Sequence, residues 1–174
     1  SLSNQLFICI DSILKMAYWK QINRIAVATG PGGFTGTRLT VAIGRTLAQQ
    51  LQCSLDSFSS FELMASRLAI NLASSKQSQP FWITERLNRR GIIAGKYQQR
   101  INILDSLSND IIELQAPHLL SKGKTVTPSF NASHNVEADI IRLLELSYQK
   151  QLEGKESNWE KVIPIYPTSP LDKA

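Results

Sequence analysis

The chain has little of what most enzymes use for chemistry. It holds 2 cysteines and 2 histidines in 174 residues. Cys9 and Cys53 form no Cys-x-x-Cys pair, which argues against a zinc ribbon, a thioredoxin-like motif or a disulfide scaffold. Both thiols sit among apolar or small residues and are expected to be buried and free in a reducing compartment. His118 and His134 stand beside Pro117 and Ser133 in polar, turn-like segments with no His-Glu-x-x-His spacing, so no metal site is expected. Gly-x-Ser-x-Gly is absent, and with it the nucleophile elbow of serine hydrolases. Long apolar runs are also missing: Leu6-Phe7-Ile8-Cys9-Ile10 is interrupted by Asp11 and Lys15, too soon for a membrane span, and neither a basic leader nor an Ala-x-Ala site opens the chain. A cytoplasmic protein without membrane contact is expected.

What is present suits a globular α/β protein. Hydrophobic residues make up 43% and charged residues 19%, which fits neither a coiled coil nor a disordered chain, while the net charge of +5 permits acidic or nucleic-acid partners without requiring them. The length supports one good core or two small ones. Leu2, Leu6, Cys9, Ile10, Ile13, Leu14 and Ala17 recur at helical steps and predict a helix over 2–18 whose apolar arc, widened by Phe7 and Ile8, is buried on two sides or shared with a partner. Arg24–Thr29 reads as a strand and 35–52 as a second helix. Leu39, Ala42, Ile43, Leu47 and Leu51 line one face of it, and Gly36, Thr40, Gly44 and Ala48 form a row of small residues that allows close helix approach, either within the subunit or to a partner.

Farther on, 52–58 reads as a short strand and Ser59-Ser60 as a helix cap before Phe61, Leu63, Met64, Leu68 and Leu72. Residues 74–80 have linker composition, so the chain is expected to divide into an N-terminal lobe, 1–73, and a C-terminal lobe, 80–174. Strands are expected at 81–84, 91–97 and 100–104, with a basic turn at 86–90. A polar loop follows around 121–135, and then a helix marked by Val136, Ile140, Leu143, Leu144 and Tyr148 that ends near Gly154. Arg86, Arg89, Arg90, Lys96 and Arg100 lie close in sequence to Trp82 and Tyr97. That mixture suits phosphate contacts and base stacking, or simply a solvated hairpin with cationic edges.

The most informative stretch joins the first strand to the second helix: Gly30-Pro31-Gly32-Gly33-Phe34-Thr35-Gly36-Thr37-Arg38. It is not a Walker A loop, because no Lys-Ser/Thr follows, and not a dinucleotide fingerprint, because with Gly30 as the first position the sixth is Thr35. Gly30, Gly32 and Gly33 are expected to serve backbone geometry and close packing, with an anion at the helix N-terminus as the alternative. Arg38, in the first helical turn, is poorly placed for the helix dipole and is expected to find a carboxylate or phosphate partner, within the subunit or across an interface.

The stretch closely resembles the Gly-Pro-Gly-Ser-Phe-Thr-Gly-x-Arg signature of the bacterial TsaB family, also called YeaZ and glycoprotease-like; only Gly33 departs, where the family usually has serine. The flanks agree, with Trp19-x4-Arg24-Ile25-Ala26-Val27 before it, Leu39-Thr40-Val41-Ala42-Ile43-Gly44 after it, and Ser59-Ser60-Phe61-Glu62-Leu63 in place of Ser-Ser-Leu-Glu-x-Leu. Arg89-Arg90-Gly91 with Tyr97 is similar to the family's Asp-Ala-Arg-x-Gly-x-Val-Tyr strand, although Leu87 and Asn88 replace Asp-Ala. Pro164-Ile165-Tyr166 is similar to its closing Pro-x-Tyr. The resemblance is strong over 1–70 and faint afterwards. It implies an α/β actin-like, sugar-kinase-like (ribonuclease H-like) fold in two lobes. It also implies that a strand reading roughly Leu-Ala-Ile-Asp-Thr-Ser, with two more strands after it, would precede Ser1, so that the fold is N-terminally shortened here.

The same resemblance implies a noncatalytic subunit that supports the related TsaD in threonylcarbamoylation of the tRNA adenosine next to the anticodon. A TsaE-like ATPase would dock on the pair, a homodimer is a further option, and tRNA would be reached indirectly. On that reading the partner interface comprises Leu6, Ile10, Ile13, Gly36, Thr40, Gly44 and Ala48, and no cofactor or catalytic residue is expected. The competing readings are a glycoprotease-like hydrolase or an ATPase of the actin-like superfold, and a direct tRNA-binding module that uses 86–100.

Overall fold

The computed structural model describes residues 2–72, 79–88, 90–100 and 110–166. Its elements are α1 (Leu2–Ile13), β1 (Arg24–Ala28), α2 (Phe34–Leu51), β2 (Ser54–Phe58), α3 (Ser60–Ala69), β3 (Phe81–Leu87), β4 (Gly91–Arg100), β5 (Asp110–Leu119), β6 (Ser129–Asn131) and α4 (Val136–Leu152), with 3-10 helices at Met16–Gln21 and Trp159–Lys161. They form two compact units, Ser1–Phe58 with Leu143–Pro164, and Ser59–Arg142 with Ile165–Ala174. This division differs from the 1–73 and 80–174 lobes expected from composition. The change of unit falls between Phe58 and Ser59, and the chain returns to the first unit from Leu143 onward. Most of the linker-like stretch 74–80 lies outside the described residues.

In the first unit β1 and β2 run parallel, from Arg24 opposite Ser54 to Ala28 opposite Phe58. Parallel neighbours cannot be joined by a tight turn, and α2 supplies the crossover. It lies so close to the strands that a Cβ on Gly44 would stand 2.6 Å from Val27 Cγ1. Val27, Val41, Ala48, Leu55 and Val162 make the core of this unit. The expected helix over 2–18 stops at Ile13, passes through extended backbone at Lys15 and resumes as a 3-10 helix from Met16. Apolar residues three apart suit a 3-10 helix as well as an α-helix, so Leu14 and Ala17 do not distinguish the two. Cys9 is exposed on α1 and Cys53 half-buried, so the burial expected of both thiols fails at Cys9, where part of the apolar arc is uncovered. Burial pushes the Cys53 thiol above its ordinary value, with the Arg24 charge working against it.

In the second unit α3 starts at a side-chain cap, where Ser59 Oγ accepts the Glu62 N–H at 3.0 Å. Its apolar face, Phe61, Met64 and Leu68, packs with Phe81, Ile83, Ile93 and Tyr97 of the sheet. The strand order is β5-β4-β3-β6, antiparallel throughout except that β6 runs parallel to β3. Two strands escaped the sequence reading. β5 carries Pro117, which lacks an N–H and is tolerated because the strand is at an edge, so His118 lies in a strand rather than a turn. β6 is a three-residue strand inside the expected polar loop 121–135. Of the strand expected at 100–104, Arg100 ends β4; 101–104 lie outside the described residues, as does Arg89. Among the described residues no helix is long and apolar enough to cross a membrane.

Candidate functional site: the glycine loop and an apolar groove beside it

The loop leaves the first sheet at a fixed point. Thr29 donates both its N–H and its Oγ1–H to the Phe58 carbonyl, at 2.9 and 3.0 Å, pinning the ends of β1 and β2 together. Gly30 follows at φ 98°, a conformation that side chains rarely adopt. Thr29, Gly30 and Pro31 are buried, whereas Gly32, Gly33, Phe34 and Thr35 are exposed. Of the glycines expected to need unusual backbone angles, only Gly30 has one. Gly33 sits at φ −58° as the N-cap of α2, with no side chain to accept an orphan N–H. Gly32 is outside the left-handed region, and a Cβ on it would stand 3.2 Å from Thr37 Oγ1. The Arg38 guanidinium carbon lies 5.0 Å from the centroid of the Phe34 ring, one turn back along α2. Within the described residues Arg38 thus meets an aromatic face.

Beside the loop, α1, β1 and α2 enclose an open apolar groove of about 260 Å³. Leu6 and Ile10 of α1 form one wall and Thr40, Ile43 and Leu47 of α2 the other, with Val27 and Gly44 beneath. The groove thus collects four of the seven expected interface residues: Leu6, Ile10, Thr40 and Gly44. Ile13 lies outside it and is 84% exposed on α1. Gly36 is half-buried and has open space where a Cβ would project. Ala48 is fully buried in the core, so its small size serves the packing of α2 within this unit. Gly44 likewise holds α2 against β1.

Thr35 contributes an exposed hydroxyl, the first turn of α2 carries no acid, and among the described residues no group of three or more His, Cys, Asp or Glu is placed to hold a metal. Two polar clusters lie elsewhere. Asp56, fully buried on β2, takes bonds from Arg24 Nη1 at 2.7 Å, Ser147 Oγ at 2.7 Å and Ser157 Oγ, with Lys150 Nζ at 3.7 Å. Burial alone would raise this carboxyl, but the bonds from Ser157, Arg24 and Ser147 and the Lys150 charge outweigh it and hold the group below the usual carboxylate range. In the second unit the buried Tyr97 hydroxyl meets Ser59 Oγ and Glu113 Oε2, each at 3.1 Å. Burial, with the Glu113 charge added, pushes Tyr97 well above the ordinary phenol range. The expected basic patch is split by the sheet: Tyr97 faces the core, while Trp82 and Lys96 pair across strands on the opposite face.

The parallel β1–α2–β2 unit with its glycine turn, and the mixed sheet backed by α3, define an α/β protein of the actin-like class rather than a Walker-type or dinucleotide-binding one. The chain belongs to the family described as TsaD: tRNA N6-adenosine threonylcarbamoyltransferase, whose model matches residues 1–115. It is 25% identical over 133 residues to the tRNA threonylcarbamoyladenosine biosynthesis protein TsaB of Buchnera aphidicola, a match covering 72% of this chain and 60% of that protein. The chain therefore spans less than two thirds of that relative's length. Among solved structures it is similar to a Pseudomonas aeruginosa protein described as having similarity to peptidase YeaZ, with a TM-score of 0.67 and 18% identity, over 95% of this chain and 83% of that one. It is equally similar to YeaZ from Pseudomonas aeruginosa, with a TM-score of 0.67 and 16% identity, over 95% and 85%. These likenesses bear out the TsaB (YeaZ) resemblance of the glycine loop and the α/β actin-like fold that it implied.

Proposed function

We propose that the chain is a noncatalytic, TsaB-like subunit that supports a TsaD-like subunit in threonylcarbamoylation of tRNA adenosine next to the anticodon, and that the α1–α2 groove is where that subunit docks. The observation that carries the proposal is the groove itself. Apolar side chains of α1 and α2 line it, and the exposed Ile13 lies on the flank of the same α1 stripe. Contiguous apolar surface of this kind marks interaction sites, and a helix of the partner laid between α1 and α2 would bury it. The name of the Buchnera relative, a tRNA threonylcarbamoyladenosine biosynthesis protein, supports the choice of partner. A TsaE-like ATPase docking on the assembled pair, a homodimer in its absence, tRNA reached through the complex, and a cytoplasmic location belong to the same proposal.

Co-expression with a tagged TsaD-like subunit tests it. The wild-type chain should co-purify in equal stoichiometry, and Ile13→Glu, at a position too exposed to disturb folding, should not. Equal recovery of both would mean that the partner binds elsewhere.

A further inference from the structure

The second unit's sheet has two faces of opposite character. α3 covers one, where Phe81, Ile83, Ile93 and Tyr97 are buried. Alternation along the strands puts Trp82, Thr84 and Arg86 of β3 on the other, with Ile92, Ala94, Lys96, Gln98 and Arg100 of β4 beside them. His118 of β5 shares that face, being opposite Ala94. Lys96 Nζ lies 5.6 Å from the Trp82 ring centroid, and the His118 ring stands edge-on to Trp82 with centroids 6.2 Å apart. Ala94, beside His118 in the register, leaves room for that approach. The His118 Nδ1 is 2.9 Å from the Ala116 carbonyl, which can only accept, so Nδ1 donates there.

Charge is sorted between the faces in the same way. Glu113 turns its carboxylate to Tyr97 and Ser59 on the α3 side, and Glu85 approaches His134 at 3.7 Å. Arg86 and Lys96 lie on the aromatic face, with Arg100 at its far end opposite Asp110. The Leu120 N–H donates to the Ile92 carbonyl at 2.8 Å, so the loop bearing exposed Lys122 and Lys124 departs beside the Arg86 end. From Ile92 to Arg100 the strip runs about 26 Å, at ~3.3 Å per residue.

We infer that this face is an RNA-contacting surface on which the half-buried Trp82 and His118 rings take an unpaired base while Arg86, Lys96 and the Lys122–Lys124 loop hold the flanking phosphates. Sequence-tolerant contact with unpaired nucleotides needs aromatic faces interleaved with cations on an extended surface, and that is the arrangement here. The inference gives the chain a direct contact with tRNA in addition to the docking role proposed above, and it does not depend on the α1–α2 groove.

Fluorescence anisotropy of a labelled, unmodified tRNA transcript, titrated with the full chain at several salt concentrations, tests it without any partner subunit. Wild type should bind with an affinity that falls steeply as salt rises. Arg86→Ser should weaken binding and flatten the salt slope. Trp82→Leu should weaken it about tenfold at constant charge, the size of one lost base stack, and Trp82→Phe should keep most of the affinity and show that the fold survives at this position. Absence of binding by wild type, or equal affinity of wild type and Arg86→Ser, would overturn the inference. If Arg86→Ser weakens binding and Trp82→Leu does not, the surface is a general polyanion site and the RNA assignment is wrong. None of these outcomes bears on whether a TsaD-like subunit co-purifies.

Discussion

Arg24 and Asp56 meet across the parallel strands of the first unit, Nη1 to Oδ2 at 2.7 Å, with the acid fully buried and the Arg24 side chain 11% exposed. The arginine's other nitrogen, Nη2, donates to the Lys155 carbonyl at 2.5 Å. The same carboxylate accepts from Ser147 of α4 and Ser157 beyond it. One buried acid thus ties the segment from Leu143 onward to the sheet that positions the glycine loop. Asp56→Ala should cost about 3–5 kcal/mol, because it leaves the buried Arg24 charge without its partner. Ser147→Ala, which removes one bond from a satisfied cluster, should cost about 1–3 kcal/mol. Urea melts of the two variants check the order.

The same cluster sets a pH dependence. The Asp56 carboxyl is held below its unfolded value of about 3.9, so its stabilising effect is complete above about pH 4 and is lost as pH falls through the lower folded value. Melts of wild type and Asp56→Asn should differ most near neutrality and converge in acid. A gap that stays constant down to about pH 2 would show that the carboxylate charge is not what Asp56 contributes.

Gly44 and Gly36 stand in one small-residue row but should respond in opposite ways. A side chain at Gly44 meets Val27, so Gly44→Ala should destabilise by about 1–3 kcal/mol. Gly36 has open space around it, and Gly36→Ala should be neutral or stabilising by up to about 1 kcal/mol through helix propensity. Thermal melts decide it, and equal losses at both sites would contradict the packing described here.

Gly33→Ser should stabilise by a few tenths of a kcal/mol, because a serine at this N-cap supplies the acceptor that glycine lacks. A loss of melting temperature would mean that the loop needs glycine at this position for another reason.

The sequence showed the glycine loop, the crossover helix and the α3 cap because each rests on a local signal. Gly30 with its neighbours marks the turn, Leu39, Ile43 and Leu47 give the helical period, and Ser59-Ser60 gives the cap. It also brought out Leu6, Ile10 and Thr40 as residues of one surface, and the groove collects them. What escaped it depends on contacts distant in the chain. Asp56 and Ser157 are 101 residues apart, and nothing around Asp56 marks it as buried. β5 was hidden by Pro117, which reads as a strand breaker unless the strand is known to lie at an edge. The small-residue row misled in part for the same reason, since four-residue spacing does not reveal whether Gly44 faces a partner or Val27. Likewise, the Arg86–Arg100 stretch read as one patch until strand alternation sent Tyr97 to the core and left Trp82 with Lys96 outside.

The most direct test of the account is the affinity of the purified chain for a purified TsaD-like subunit, measured by isothermal titration for wild type, Ile10→Glu, Ile13→Glu and Trp82→Leu. A charge in the groove or on its rim should weaken the complex by at least about thirtyfold, the loss carried by a hot-spot residue, while Trp82→Leu in the second unit should bind like wild type. If Ile10→Glu and Ile13→Glu keep wild-type affinity, or if wild type itself does not bind, the groove is not the docking site and the proposed role of the chain falls with it.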